Sequence, residues 1–157
     1  GEIVVFSESC MLEYYHDPEK SAATLINGWV LTGDLAMYDE DGYTYFVDRS
    51  KDMIISGGQN VYSKEIEDVL MGHPAVMEVA VIGVPHPQWG ESVKAVVSLR
   101  PGMKATPEEL IAFCDDKMAK FKRPRYAEII EAIPHNAAGK IVKPEIRKLY
   151  GEPKNQG

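Results

Sequence analysis

Asp48-Arg49-Ser50-Lys51-Asp52-Met53-Ile54-Ile55-Ser56-Gly57-Gly58-Gln59-Asn60 is the stretch on which the fold turns. A charged knot runs into a short apolar strand, Met53 to Ile55, and the strand into a double glycine. Upstream of it the pattern is mostly β. Glu2 to Phe6 and Trp29 to Leu31 read as strands. Met37 to Val47 reads as a hairpin with Asp39-Glu40-Asp41-Gly42 as its turn, since Tyr43, Tyr45 and Val47 alternate outward from it. One helix start interrupts these strands: Asp17-Pro18-Glu19-Lys20, with Pro at the first helical position.

Downstream, helices and strands alternate. Ser63 is placed to cap a helix through Met71, with Glu65 and Glu67 where the helix dipole favours acids. Ile66, Val69 and Leu70 form its apolar stripe. Val76 to Val84 and Val93 to Leu99 are Val-rich strands. Thr106-Pro107-Glu108-Glu109 combines a Thr cap, a Pro and a capping-box Glu, and predicts a helix that carries Leu110, Ile111 and Phe113 and ends near Lys120. Tyr126 to Ile130 is a further strand, and Pro144 opens a last helix through Tyr150. The order after residue 50 is β-α-β-β-α-β-α, an α+β domain over residues 51–150. Residues 1–50 form a β-rich piece before it, and the polar tail 151–157 is expected to fray.

The net charge of −7, with acids spread along the chain, argues against nucleic acid as a partner. The densest basic cluster, Lys117, Lys120, Lys122, Arg123 and Arg125, suits a few phosphates and not a duplex. Two cysteines, Cys10 and Cys114, show no metal or disulfide spacing, and a cytoplasmic location is the simplest expectation. No apolar run approaches a membrane span. The four histidines fall at no metal-ligand spacing, so no metal site is expected. Asp115-Asp116 reads as a solvated helix face.

Several polar residues carry two readings each. Lys140, in the loop Pro134-His135-Asn136-Ala137-Ala138-Gly139-Lys140-Ile141, either neutralises a developing phosphate or carboxylate charge or is a solvated surface lysine. The loop is no P-loop, because Pro134 stands where the first glycine would and Ile141 replaces the Ser/Thr. Asp34, after Thr32-Gly33, either accepts ribose hydroxyls or closes a turn on its own backbone. Arg49 either holds a hydroxyl or a phosphate or belongs, with Lys51, Asp48 and Asp52, to a surface charge cluster. Gly57-Gly58 either admits a ligand close to the backbone or is only a tight turn.

Taken in order, these motifs resemble the acyl-adenylate-forming superfamily of acyl-CoA synthetases, firefly-type luciferases and peptide-synthetase adenylation domains. The resemblance runs from Gly1-Glu2-Ile3 through Tyr14-Tyr15, Gly28-Trp29, Thr32-Gly33-Asp34, Asp41-Gly42-Tyr43 and the Asp48 to Asn60 block. It continues through Glu65-Ile66-Glu67, His73-Pro74-Ala75-Val76 and Val84-Pro85 to Gly139-Lys140. It implies that Asp34 and Arg49 serve the ATP/AMP ribose and phosphate, and that Lys51 is the hinge between a large N-terminal and a small C-terminal domain. It further implies that Lys140 is the catalytic lysine of adenylation and that Gly57 and Gly58 line the pantetheine path of CoA. ATP, CoA and Mg²⁺ are the implied cofactors, with Mg²⁺ held by the phosphates and the N-terminal domain. A carboxylic acid is the implied substrate.

Two departures stand out: His135 replaces the Arg or Lys that often follows Pro134, and Ile55 and Gly57 replace the lysines of phenylpropanoid-acid branches. The Asp52 to Tyr62 run is more similar to fatty-acid or general carboxylic-acid CoA ligases. The phosphate loop and acid pocket of the family lie outside this sequence. The chain is therefore expected to be an excised C-terminal portion, inactive alone. Residues 1–48 would then expose apolar strand edges able to pair two copies into a homodimer. An adenylation domain serving a carrier-protein thiol and a non-catalytic binding module are the alternatives.

Overall fold

A computed structural model describes residues 1–153, which divide between Lys51 and Asp52 into two compact units. The first unit is an antiparallel sheet with one short helix. Its strands are β1 (Glu2–Val5), β2 (Leu25–Ile26), β3 (Trp29–Tyr38) and β4 (Thr44–Arg49), and β3 pairs with each of the others. Helix α1 (Pro18–Thr24) begins as its sequence indicates, with the Asp17 carboxylate accepting from Lys20 N at 3.0 Å. The β3–β4 hairpin also forms as expected.

One expectation fails in this unit. Trp29 to Leu31 and the strand opening at Met37 are a single strand, and Asp34 sits inside it rather than on a loop. The chain stays extended because β1 satisfies its polar groups across an irregularity in the ladder: Thr32 Oγ1 donates to Ile3 O at 2.7 Å and Gly33 N to the Glu2 carboxylate at 2.8 Å. Gly33, at φ +74°, supplies the bend that a bulge needs.

The second unit is a five-stranded sheet with helices on both faces. It comprises β5 (Ile54–Ser56), β6 (Gln59–Val61), α2 (Ser63–Met71), β7 (Val76–His86), β8 (Gly90–Leu99), α3 (Pro107–Ala112), β9 (Tyr126–Ile130) and α4 (Lys143–Tyr150). The strands run β6-β5-β8-β7, with β9 parallel to β8. Val79, Val81, Val93, Ala95 and Val97 face Ile66 and Leu70 of α2 and Leu110 of α3. Ala80, Ile82, Val84 and Val96 face Ile146 of α4 and Ile133. Burial on both faces is why β7 and β8 read as unbroken apolar runs rather than alternating ones. No helix among the described residues is long and apolar enough to cross a membrane.

The α+β class holds, but four details differ from expectation. The double glycine joins two strands, so β6 is an addition to the expected order. Ser63 is the first helical residue and not the cap; Tyr62 occupies that position without a side-chain bond, and the Ser63 hydroxyl accepts from Lys143 Nζ at 2.7 Å. Helix α3 keeps its capping box but ends at Ala112, well short of Lys120. Bonds from Cys114 N to Ile111 O and from Asp115 N to Ala112 O tighten its last turn, and two further acids would oppose the dipole there. Asp115 accordingly lies beyond the helix and pairs with Arg123 at 2.7 Å.

The expected fraying tail is tethered where it is described. Lys94, 1% exposed between the sheet and α4, pairs with Glu128 at 2.8 Å and donates to Tyr150 O and Glu152 O at 2.7 and 2.9 Å. A buried ammonium needs such acceptors to offset its lost hydration. Residues 154–157 of that expectation lie outside the described residues.

Candidate functional site

In the first unit, the β3–β4 register places Asp34 directly opposite Arg49. Arg49 Nε lies 3.2 Å from Asp34 Oδ1, yet that oxygen, shielded from solvent, accepts no directed hydrogen bond among the described residues. The contact is an ion pair that leaves the carboxylate with spare acceptor capacity. The neighbouring Asp48 is buried and accepts from Arg49 N at 2.7 Å, which fixes the backbone from which the guanidinium extends. Beside the pair lies a groove lined by Tyr14, Thr32, Gly33, Arg49, Ser50 and Lys51. A carboxylate with open lone pairs next to a guanidinium is suited to a ligand that presents hydroxyls and negative charge together.

In the second unit, Gly57 and Gly58 form the two-residue turn between β5 and β6, at φ +59° and +76°. Two positive φ values in a tight hairpin turn explain both glycines. The turn is fastened to the β7–β8 connection. Gly57 N donates to Trp89 O at 2.9 Å, Ile55 N donates to the Glu91 carboxylate at 2.9 Å, and Ser56 pairs with Gly90. The Trp89 ring covers Gly57 so closely that a Cβ there would lie 3.1 Å from it.

From this turn opens a groove of about 350 Å³ lined by Ser56, Gly57, Trp89, Lys120, Arg123 and Arg125, among others. The structure sorts the basic cluster noted in the sequence. Lys117 lies over the Phe113 ring, Lys122 pairs with Glu65 at 2.7 Å, and Arg123 pairs with Asp115. Lys120 has no carboxylate partner among the described residues, and Arg125 rests 5.4 Å above the Trp89 ring. The groove thus offers a glycine floor and an aromatic face with cations at its rim.

Lys140 is exposed on a loop that closes on itself. Asn136 N donates to Lys140 O at 2.9 Å, and the Asn136 side-chain oxygen accepts from Ala138 N and Lys140 N, each at 3.0 Å. Below this ring His135 bridges Ile141, and Val142 N donates to Pro134 O. The Lys140 backbone is therefore held at both its N–H and its carbonyl, while its ammonium has no partner among the described residues.

Of the expected site residues, Asp34 and Arg49 come together in the first unit. Gly57 lines one groove with Lys120, Arg123 and Arg125 in the second, Gly58 completes the turn beside it, and Lys140 stands on its own loop. Lys51 closes the first unit at its division from the second. Trp89 was not singled out in the sequence; its signal was an aromatic in the turn Pro87-Gln88-Trp89-Gly90, between two strands with no need of one. Glu91 gave no signal. Among the described residues no group of three His, Cys, Asp or Glu side chains is placed to hold a metal ion.

Residues 65–140 match the family model described as AMP-binding enzyme C-terminal domain. The chain is 45% identical, over 96% of its own length and 29% of the relative's, to a fatty acid–[acyl-carrier-protein] ligase, ScoC, of Streptomyces coeruleorubidus. It is 46% identical, over 96% of its length and 31% of the relative's, to a feruloyl-CoA synthase of an Amycolatopsis species. The crystal structure of ATP-bound MatB from Rhodopseudomonas palustris superimposes with a TM-score of 0.87 at 38% identity, over 96% of this chain and 30% of that one. The chain thus spans about 30% of the length of such relatives. By sequence and by fold, the chain belongs to the acyl-adenylate-forming superfamily, to which it corresponds in the C-terminal part.

Proposed function

We propose that this chain is the C-terminal part of an AMP-forming acid–thiol ligase, residues 1–50 ending its N-terminal adenylation domain and residues 51–150 forming its C-terminal domain. A carboxylate oxygen attacks the α-phosphorus of ATP, the bond to pyrophosphate breaks, and an acyl-adenylate forms. A thiol sulfur then attacks the acyl carbon, the bond to AMP breaks, and the thiol proton is released. The observation that carries the proposal is the groove in the second unit: the Gly57 backbone beside the Trp89 ring suits a thin pantetheine arm, and Lys120 and Arg125 in the same lining suit the phosphates of a nucleotide.

The remaining roles follow from chemistry. Lys140 brings a free cation to the point where two anions must approach, and such electrostatic stabilisation acts most strongly on the charge that develops in the transition state. Asp34 and Arg49 hold the adenylate by hydroxyl and phosphate contacts. Lys51 is the pivot about which one half-reaction gives way to the other, since a hinge needs only a few residues able to absorb a backbone change. Mg²⁺ would neutralise triphosphate charge when bound, and no residue of this chain is assigned to it. The chain alone is expected to be inactive.

In the full-length ligase, Lys140→Ala should lower adenylate formation about a hundredfold or more, while thioester formation from supplied acyl-adenylate persists. Equal loss in both half-reactions would remove Lys140 from its role. A second reading has one specific support: ScoC, at 45% identity, is named for an acyl-carrier-protein acceptor. Turnover with CoA alone favours the first reading. A requirement for a phosphopantetheinylated carrier protein favours the second.

A further inference from the structure

The loop that presents Lys140 is held at both ends by carboxylates: Glu78 of β7 on one side, and on the other Glu67 of α2, which is itself bonded to β7. On its N-terminal side, His135 Nε2 lies 3.0 Å from Glu78 Oε1, and His135 Nδ1 lies 2.7 Å from Ile133 O. Both ring nitrogens therefore face oxygen acceptors. On the C-terminal side, Lys143 Nζ lies 2.8 Å from Glu67 Oε1 and donates to Ser63 Oγ at 2.7 Å. Glu67 Oε1 in turn accepts from Val81 N at 2.9 Å.

Glu78 and Val81 both belong to β7, which among the described residues pairs with β8 alone and so presents an open edge. The carboxylate of Glu67 occupies that edge at Val81, and the ring of His135 is drawn to the same strand at Glu78. These contacts differ from ordinary surface ion pairs. The Lys143 and Glu67 side chains are only 13% and 16% exposed, so solvent screens them little. His135 and Glu78 are about a third exposed, but the second bond, from Nδ1 to the Ile133 carbonyl, fixes the ring plane. Between the two mounts the loop is braced by Asn136, so displacement of either end carries Lys140 with it.

We infer that Glu78 and Glu67 are positioning residues for Lys140: they clamp the two ends of its loop to β7 through His135 and Lys143 and so fix where its ammonium stands. The inference rests on the proposed role of Lys140 in adenylate formation. Misplacement of a reacting group by about 1 Å can cost about a hundredfold in rate, and loss of one of two mounts is a smaller disturbance than that.

The test is made in the full-length ligase, with the two half-reactions assayed separately. Glu78→Ala should lower the kcat of adenylation about tenfold, leave the KM values for acid and ATP unchanged, and leave thioester formation from supplied acyl-adenylate at its original rate. His135→Phe should reproduce that loss, while His135→Arg, which keeps donors for both the carbonyl and the carboxylate, should restore most of it. Equal loss in both half-reactions, or full adenylation activity in Glu78→Ala, would overturn the inference. Amide exchange in the 157-residue chain gives an independent arm. Glu78→Ala should speed exchange at Asn136, Lys140 and Val142 and spare Val93 to Val97; unchanged exchange in the loop would also overturn it. Lys140→Ala in the same assays separates the two claims: if it shows no split between half-reactions, the role of Lys140 fails, and the exchange data still decide whether the mounts hold the loop.

Discussion

The first fifty-one residues and the rest of the chain are built to different standards of burial. In the first unit only Ala36 and Asp48 are buried, whereas Phe6, Met37, Tyr38, Tyr43, Tyr45 and Phe46 all stand at least half exposed. The second unit encloses two apolar clusters, one on each face of its sheet, and buries even a lysine. Strand pairing and a few side-chain bonds hold the first unit together, and a sheet with so little buried surface is marginal in water. Packing holds the second. A hydrogen-bonded ladder gives shape, and only an enclosed core gives independent stability.

The largest effect should come from separating the units. Residues 52–157 alone should melt cooperatively, while residues 1–51 alone should give no cooperative transition by circular dichroism; a sharp melt of the short piece would break the contrast. The exposed strands should also make the whole chain self-associate. Light scattering would show a dimer of residues 1–157 that vanishes in a chain beginning at Lys51, and persistence of the dimer would assign it to the second unit.

Next in size is Lys94→Ala. It leaves the Glu128 carboxylate buried without its cation and should cost about 3–5 kcal/mol in chemical denaturation; a loss near zero would mean that water reaches Glu128. A smaller contrast lies in the thiols. Burial pushes the Cys114 thiol above its ordinary range, and Cys10 is only partly covered. An alkylating reagent should modify Cys10 in the native chain and reach Cys114 only on unfolding. Comparable rates at the two would show that the core opens readily.

The smallest effect is expected at Tyr45→Phe. The Tyr45 hydroxyl donates to Asp39 Oδ2 at 2.7 Å; that bond holds the Asp39 carboxyl below its usual value and raises the phenol above its own. A lowered carboxylate value means stability that is present above the ordinary Asp range and lost as pH falls through the lowered value. The raised phenol value means stability present at lower pH and lost above its own range. Tyr45→Phe should flatten the dependence at both ends by an amount close to detection. A large change would give the hairpin more energetic weight than its exposure allows.

Much of this was legible in the sequence where one residue answers one local demand. The Asp17 and Thr106 caps, the Asp39 to Gly42 turn and the Gly57-Gly58 turn are satisfied within a few residues, and each stands where its motif says. Long-range partners hid the rest. Ser63 looks like a cap until Lys143, eighty residues away, claims its hydroxyl. Thr32-Gly33-Asp34 looks like a loop until Ile3 and Glu2 complete its bonds. Of the candidate site, Lys140 and the paired glycines stand out by motif. Trp89 and the mounts at Glu78 and Glu67 do not, because a turn, strand or helix residue acquires such a role only through what the fold sets beside it.

The bonds of Lys94 bear on synthesis. Two of the three groups that hold its ammonium lie 56 and 58 positions further along the chain. While a ribosome is still short of Glu152, the hairpin of β7 and β8 can form, but the cation at its centre lacks most of its acceptors. The α4 face of the sheet can therefore be sealed only after translation has passed residue 152, and until then a nascent chain offers chaperones and proteases a half-open core.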